Sequence, residues 1–123
     1  MPKTINIFVY GTLMRGEVSA HRLANASFVQ TDKTRPDYTL LDLGWHPALM
    51  PDGDTAVDGE IYVVNDTQLS ELDAYERCPK LYRRETICLQ SGVFADTYIL
   101  AHPQSANGVP ISNGDWRSWN AAR

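Results

Sequence analysis

The sequence predicts an α+β fold: a small mixed or antiparallel β-barrel with short helices on its flanks. Three observations lead there. Strand-like runs outnumber helical ones, and the two do not alternate in a βαβ rhythm. The chain has 123 residues, 43% of them hydrophobic and 21% charged, which suits one globular domain able to hold both a core and a pocket. No Gly/Ser linker, charge block or repeat divides residues 1–123, so a single domain is expected throughout.

The elements follow in order. Residues 5–10 (INIFVY) form an apolar run rich in β-branched and aromatic side chains, closed by Gly11, and read as a buried first strand. GTLMRGE makes a loop, and residues 18–26 (VSAHRLANA) read as a short helix. Residues 28–34 and 38–43 are strands separated by Arg35-Pro36-Asp37. Residues 44–54 (GWHPALMPDGD) carry two prolines and two glycines and read mainly as loop. Residues 57–64 alternate as a strand does, with at least one face buried. Asn65-Asp66 can cap a helix over residues 67–77, with Gln68 as the capping-box partner of Asn65 and Pro79 as the stop. Residues 82–89 and 95–101 are further strands. The tail NGDW reads as a turn that caps a last helical stub.

Composition excludes several classes. A net charge of −4 without a basic patch argues against a nucleic-acid partner. No apolar run approaches the roughly 20 residues that span a bilayer. The start enters a strand at once, without a signal-peptide layout. Cys78 and Cys88 are too few for a disulfide framework. These features together predict a reduced, cytoplasmic domain. His21, His46 and His102 are scattered without ligand-like spacing, so no metal is expected. Cys78 as a thiol nucleophile stays open but has no support from the dispersed histidines, and the serines lack a G-x-S-x-G setting.

Two features can carry chemistry. The first is Glu76. On a helix turning by about 100° per residue, with Leu69 at 0°, Leu72 falls near about 300° and Glu76 near about 340°. A carboxylate thus sits on the apolar stripe that faces the core, with Asp73 at its edge. An acid there loses solvation, which raises its pKa toward the range useful for proton transfer. The plainer alternative pairs Glu76 with Arg83 or Arg84, or lets it reach solvent from a frayed last turn. The second feature is Tyr10-Gly11-Thr12-Leu13, where a strand gives way to a turn at glycine. Backbone N–H groups of such a turn can converge on an anion or a developing oxyanion, and Gly11 lets a ligand approach the backbone. The alternative is a simple strand-ending turn. The spacing from Gly11 to Gly16 is half of a phosphate loop, but the required Lys-Ser/Thr is replaced by Glu17-Val18.

IFVYGTLMRG, then GEIYVV, LDAYERCPKLYRR and NGDW, in that order, resemble the γ-glutamylcyclotransferase-like superfamily, in its γ-glutamylamine cyclotransferase and AIG2-like bacterial branch. The resemblance runs from about residue 5 to residue 116. It implies a small barrel with a cavity beside the first strand, and release of 5-oxoproline from a γ-glutamyl compound with a free amine or amino acid as co-product. It implies Glu76 as general acid/base. It also implies that the backbone of Tyr10, Gly11, Thr12 and Leu13 holds the glutamyl group, with Tyr82 lining the pocket. Such a ring closure needs one held conformer and a moved proton, so no cofactor is expected, and the only implied partner is the small γ-glutamyl substrate. A monomer or weak homodimer is expected. The alternative on the same fold is a non-catalytic protein that binds a small carboxylate; a hydrolase in which Glu76 activates water is a third reading.

Overall fold

The structure, a computed structural model, describes residues 3–103 and 107–123. Strand β1 (Thr4–Val9) runs through the interior, where Ile7 and Phe8 are fully buried. It pairs antiparallel with β5 (Asp58–Asn65), Phe8 opposite Ile61, and β2 (Ser27–Lys33) covers the far edge of β5. On its other side lies β7 (Phe94–Leu100), parallel at Ile7 and Asp96. Then come β4 (Pro47–Thr55), β3 (Tyr38–Asp42) and β8 (Val109–Pro110), giving the order β2-β5-β1-β7-β4-β3-β8. Strand β6 (Tyr82–Cys88) lies antiparallel along β7. Among the described residues, eight strands thus make one mixed sheet.

The sheet curls as expected but does not close ladder to ladder. A single bridge between Thr34 and Leu89, with Gln90 N–H donating to the Lys33 carbonyl at 2.8 Å, ties the end of β2 to the end of β6. The result is an open barrel.

The sheet splits where the site lies. Strand β7 faces β1 at Asp96 but β4 at Ile99, so β1 and β4 part from each other beyond Tyr10. The Tyr10 hydroxyl fills the fork, accepting from the Leu49 N–H at 3.1 Å and donating to the Tyr98 carbonyl at 2.7 Å. Backbone groups that the diverging strands would leave bare are satisfied by one phenol.

Two sequence expectations are corrected. The helix expected over residues 18–26 is only a 3₁₀ turn, Ala20–Leu23. Its one buried residue is Leu23, and the Ser19 hydroxyl accepts no capping N–H; it meets the Tyr75 hydroxyl at 2.7 Å instead. The segment expected as loop over residues 44–54 contains β4. Pro47 opens the strand, where its missing N–H costs nothing, and residues 51–54 bulge out between the pairs Thr39–Met50 and Tyr38–Thr55.

Helix α1 (Asp66–Tyr75) has the predicted capping box of Asn65 and Gln68, and buries Leu69 and Leu72. It ends two residues earlier than expected, with Glu76 as the C-cap. Helix α2 (Trp116–Ala121) is capped by Asp115 and buries Trp116 completely against the sheet.

Candidate active site

A cavity of about 290 Å³ opens at the fork. Its walls come from the end of β1 and the following loop (residues 8–13), the start of β4 (His46, Pro47), the end of α1 (residues 75–77), Leu81, Tyr82 and Tyr98. Every residue singled out from the sequence, Glu76, Tyr10, Gly11, Thr12, Leu13 and Tyr82, lines this one space.

Glu76 is mostly buried, and burial pushes its carboxyl up to about 7. The pairing with Arg83 or Arg84 does not occur. Arg84 spans Asp73 (3.0 Å) and Asp96 (2.6 Å), while Arg83 pairs with Glu85. Asp73 also accepts from the Tyr98 hydroxyl at 2.7 Å. The neighbouring acid of the helix therefore takes the cation, and among the described residues Glu76 has neither an ion pair nor a hydrogen bond to its carboxylate. Its surroundings are phenols. Burial, and after it the charge of Glu76, raises the Tyr82 hydroxyl above its usual range. Tyr10 is raised as well, chiefly by burial.

Those phenols are already engaged. Tyr82 donates to the Pro47 carbonyl at 3.0 Å and lies 3.1 Å from His46 Nδ1, while Tyr10 plugs the fork. They shape the cavity and dry it. The loop offers the free donors. Met14 N–H turns back to the Gly11 carbonyl and Arg15 N–H goes to Glu60, but among the described residues the N–H groups of Gly11, Thr12 and Leu13 have no protein acceptor. Gly11 has a further reason to be glycine: a Cβ there would fall 2.5 Å from Pro47 Cγ. The absent side chain thus serves packing between the loop and β4, where the sequence suggested access for a ligand.

The loop is anchored by Glu60, which is 2% exposed. One carboxylate oxygen accepts from the Arg15 N–H at 2.8 Å and from the Tyr62 hydroxyl at 3.1 Å. The other faces Arg15 Nε (3.4 Å) and Arg117 Nη2 (3.5 Å). Arg117 also donates to the Arg15 carbonyl at 2.7 Å, so both backbone groups of Arg15 are held. Among the described residues no group of three His, Cys, Asp or Glu side chains is placed to hold a metal ion.

The AIG2-like γ-glutamyl cyclotransferase family matches this chain over residues 7–118. The chain belongs to that family. A Vibrio cholerae protein with a provisional γ-glutamylcyclotransferase name is 38% identical over 110 residues, 89% of this chain and 93% of that one. The zebrafish γ-glutamylaminecyclotransferase A is 38% identical over 95 residues, 70% of this chain but 59% of its own length. The crystal structure of a mouse AIG2-like protein superposes with a TM-score of 0.74 at 31% identity, covering 80% of this chain and 78% of that one. The matched region takes in the whole cavity, from Phe8 to Tyr98.

From the sequence, Tyr75 and Tyr98 read as either core or pocket wall, and both line this AIG2-like site. Tyr75 precedes the glutamate, and its hydroxyl meets Ser19 and Thr12 (3.3 Å), joining α1 to the loop. Tyr98 arrives from β7, and neither tyrosine differs in spacing from a core aromatic. Glu60 lies within GEIYVV, but strand alternation pointed it to the side of Asp58, away from Ile61. Because β5 is central and covered on both faces, that side is interior too. Among the described residues, no helix is long and apolar enough to cross a membrane.

Proposed function

We propose that the protein is a γ-glutamyl cyclotransferase that releases 5-oxoproline and a free amine or amino acid, with Glu76 as general acid/base. The observation that carries this is the bare carboxylate of Glu76, buried without a cation in a cavity bordered by three N–H groups with no acceptor. A pKa near 7 lets the group gain and lose a proton within one turnover at neutral pH.

The substrate's α-ammonium meets ionised Glu76, which removes one proton. The amine nitrogen attacks the γ-carbonyl carbon, a five-membered ring closes, and negative charge moves to the former carbonyl oxygen. The N–H groups of residues 11–13 bind that oxygen, each donor worth about 3 kcal/mol in such sites. Collapse breaks the bond to the departing nitrogen, which takes the proton from Glu76; the ring nitrogen sheds its second proton through the regenerated carboxylate to the same amine, which leaves as an ammonium ion. The carboxylate is regenerated and no other reactant is consumed. Holding one conformer in a confined cavity supplies the remaining advantage of an intramolecular reaction.

The test is incubation with a panel of γ-glutamyl amino acids and amines, with 5-oxoproline read by mass spectrometry. Glu76→Gln is expected to fold and to lose about 10²- to 10⁴-fold in turnover. Unchanged turnover by that variant would remove Glu76 from the mechanism. Free glutamate in place of 5-oxoproline would make the enzyme a hydrolase, and ligand-induced stabilisation without any product would make it a binding protein.

A further inference from the structure

We propose that Arg77 forms a subsite for a carboxylate on the departing amine, which makes γ-glutamyl conjugates of amino acids, rather than of plain amines, the preferred substrates. The inference rests on the cyclotransferase reading and adds to it the chemistry of the part of the substrate beyond the bond that breaks.

The first observation is conformational. Arg77 has φ = 53°, the one non-glycine residue in the left-handed region among the described residues. It occupies the position just past the C-cap of α1, with its N–H on the Ala74 carbonyl (3.1 Å) and the next N–H, of Cys78, on the Asp73 carbonyl (2.9 Å). Glycine is the usual occupant of this position, because a Cβ is crowded there. A long cation kept in such a place indicates that its side chain has a use.

The second is electrostatic. Arg15, Arg35, Arg83, Arg84, Arg117 and Arg123 each pair with an acid. Arg22 lies over the Tyr75 ring. Arg77 alone, among the described arginines, has no partner within the protein.

The third is placement. Of the residues that line the cavity, only Arg77 and Leu81 are exposed, so they form its mouth. The Leu81 N–H donates to the Arg77 carbonyl at 2.9 Å, which fixes the two together. On the cyclotransferase reading, Glu76 and the N–H groups of residues 11–13, less exposed than these two, take up the glutamyl head. What projects toward the mouth is the departing amine. A guanidinium with an apolar neighbour suits a carboxylate that carries a small side chain.

γ-Glutamyl-alanine and γ-glutamyl-ethylamine differ by that one carboxylate, and the ratio of their kcat/KM values measures the subsite. The wild-type protein is expected to favour the first. In Arg77→Gly, which suits the backbone and so folds, the ratio is expected to fall about tenfold, and Arg77→Lys should recover part of it. An unchanged ratio in Arg77→Gly, or an equal loss on both substrates, would overturn the subsite while leaving the cyclotransferase reading in place. Absence of 5-oxoproline from both substrates with the wild-type protein would overturn both readings.

Discussion

Glu76 holds its proton more tightly in the folded chain than a free glutamate does, and stability should follow. Its carboxyl titrates near 7 against an ordinary 4.5. The folded state therefore binds the extra proton between those two values, and stability from this group is full below about pH 4.5 and is lost as pH rises through 7. At about 1.4 kcal/mol per unit, the bare carboxylate costs the fold up to about 3 kcal/mol at pH 8. Glu76→Gln should accordingly be more stable than wild type at pH 8 by up to that amount, and equal to it near pH 4.5. Urea unfolding at the two pH values measures this, and a gap that does not grow with pH would show that the carboxylate is freely solvated. Helical periodicity made Glu76 legible, since a charged residue between two leucines is a local conflict that single-sequence reasoning can see. Glu60 is more deeply buried, but its partners Arg15, Tyr62 and Arg117 come from three parts of the chain, and no local pattern announces them.

At the level of elements, the loop of residues 10–19 is held from three sides. Glu60 and Arg117 grip Arg15, the Ser19 N–H reaches the Thr12 carbonyl at 2.8 Å, and Tyr75 bridges Thr12 and Ser19. Arg117 is about half exposed, and without it the buried Glu60 carboxylate keeps the Arg15 N–H, the Tyr62 hydroxyl and the Arg15 guanidinium. Arg117→Ala is expected to lower stability by only about 1 kcal/mol, the value of a hydrogen bond or two. It should nonetheless speed amide exchange of Met14 and Arg15 selectively; uniform exchange across the chain would place the grip elsewhere. The sequence announced the loop through Gly11 and announced α1 through its capping box. It misreported the neighbours of that loop, because Ser19 is drawn to Tyr75 and because Pro47 and Gly53 fall at a strand start and a bulge, where breakers are tolerated.

The whole molecule is a curled sheet sealed by side chains at the places where its ladders stop. Tyr10 seals the fork, the Thr34–Leu89 bridge draws the edges together, and Trp116 of α2 is 1% exposed in the core. The same helix is tied to β3 through Trp119 Nε1 and Asp42 at 2.8 Å. Trp116→Ala should cost about 3–5 kcal/mol, as expected for emptying a large buried site, and thermal unfolding is the direct measurement. A loss below about 1 kcal/mol would mean that α2 only rests on the surface. Strand content and the barrel-like curl were legible from composition and rhythm; the open seam was not, since it depends on which distant edges meet.

The clamp between Arg117 and the Arg15 carbonyl joins residues 102 apart in sequence. During synthesis the turn of residues 10–19 leaves the ribosome before its fastener, which is translated about a hundred residues later. Order of appearance and order of completion are thus reversed here: the nascent chain can pair β1 and β5 while the turn stays slack, and the turn is fastened only once Arg117 has been made.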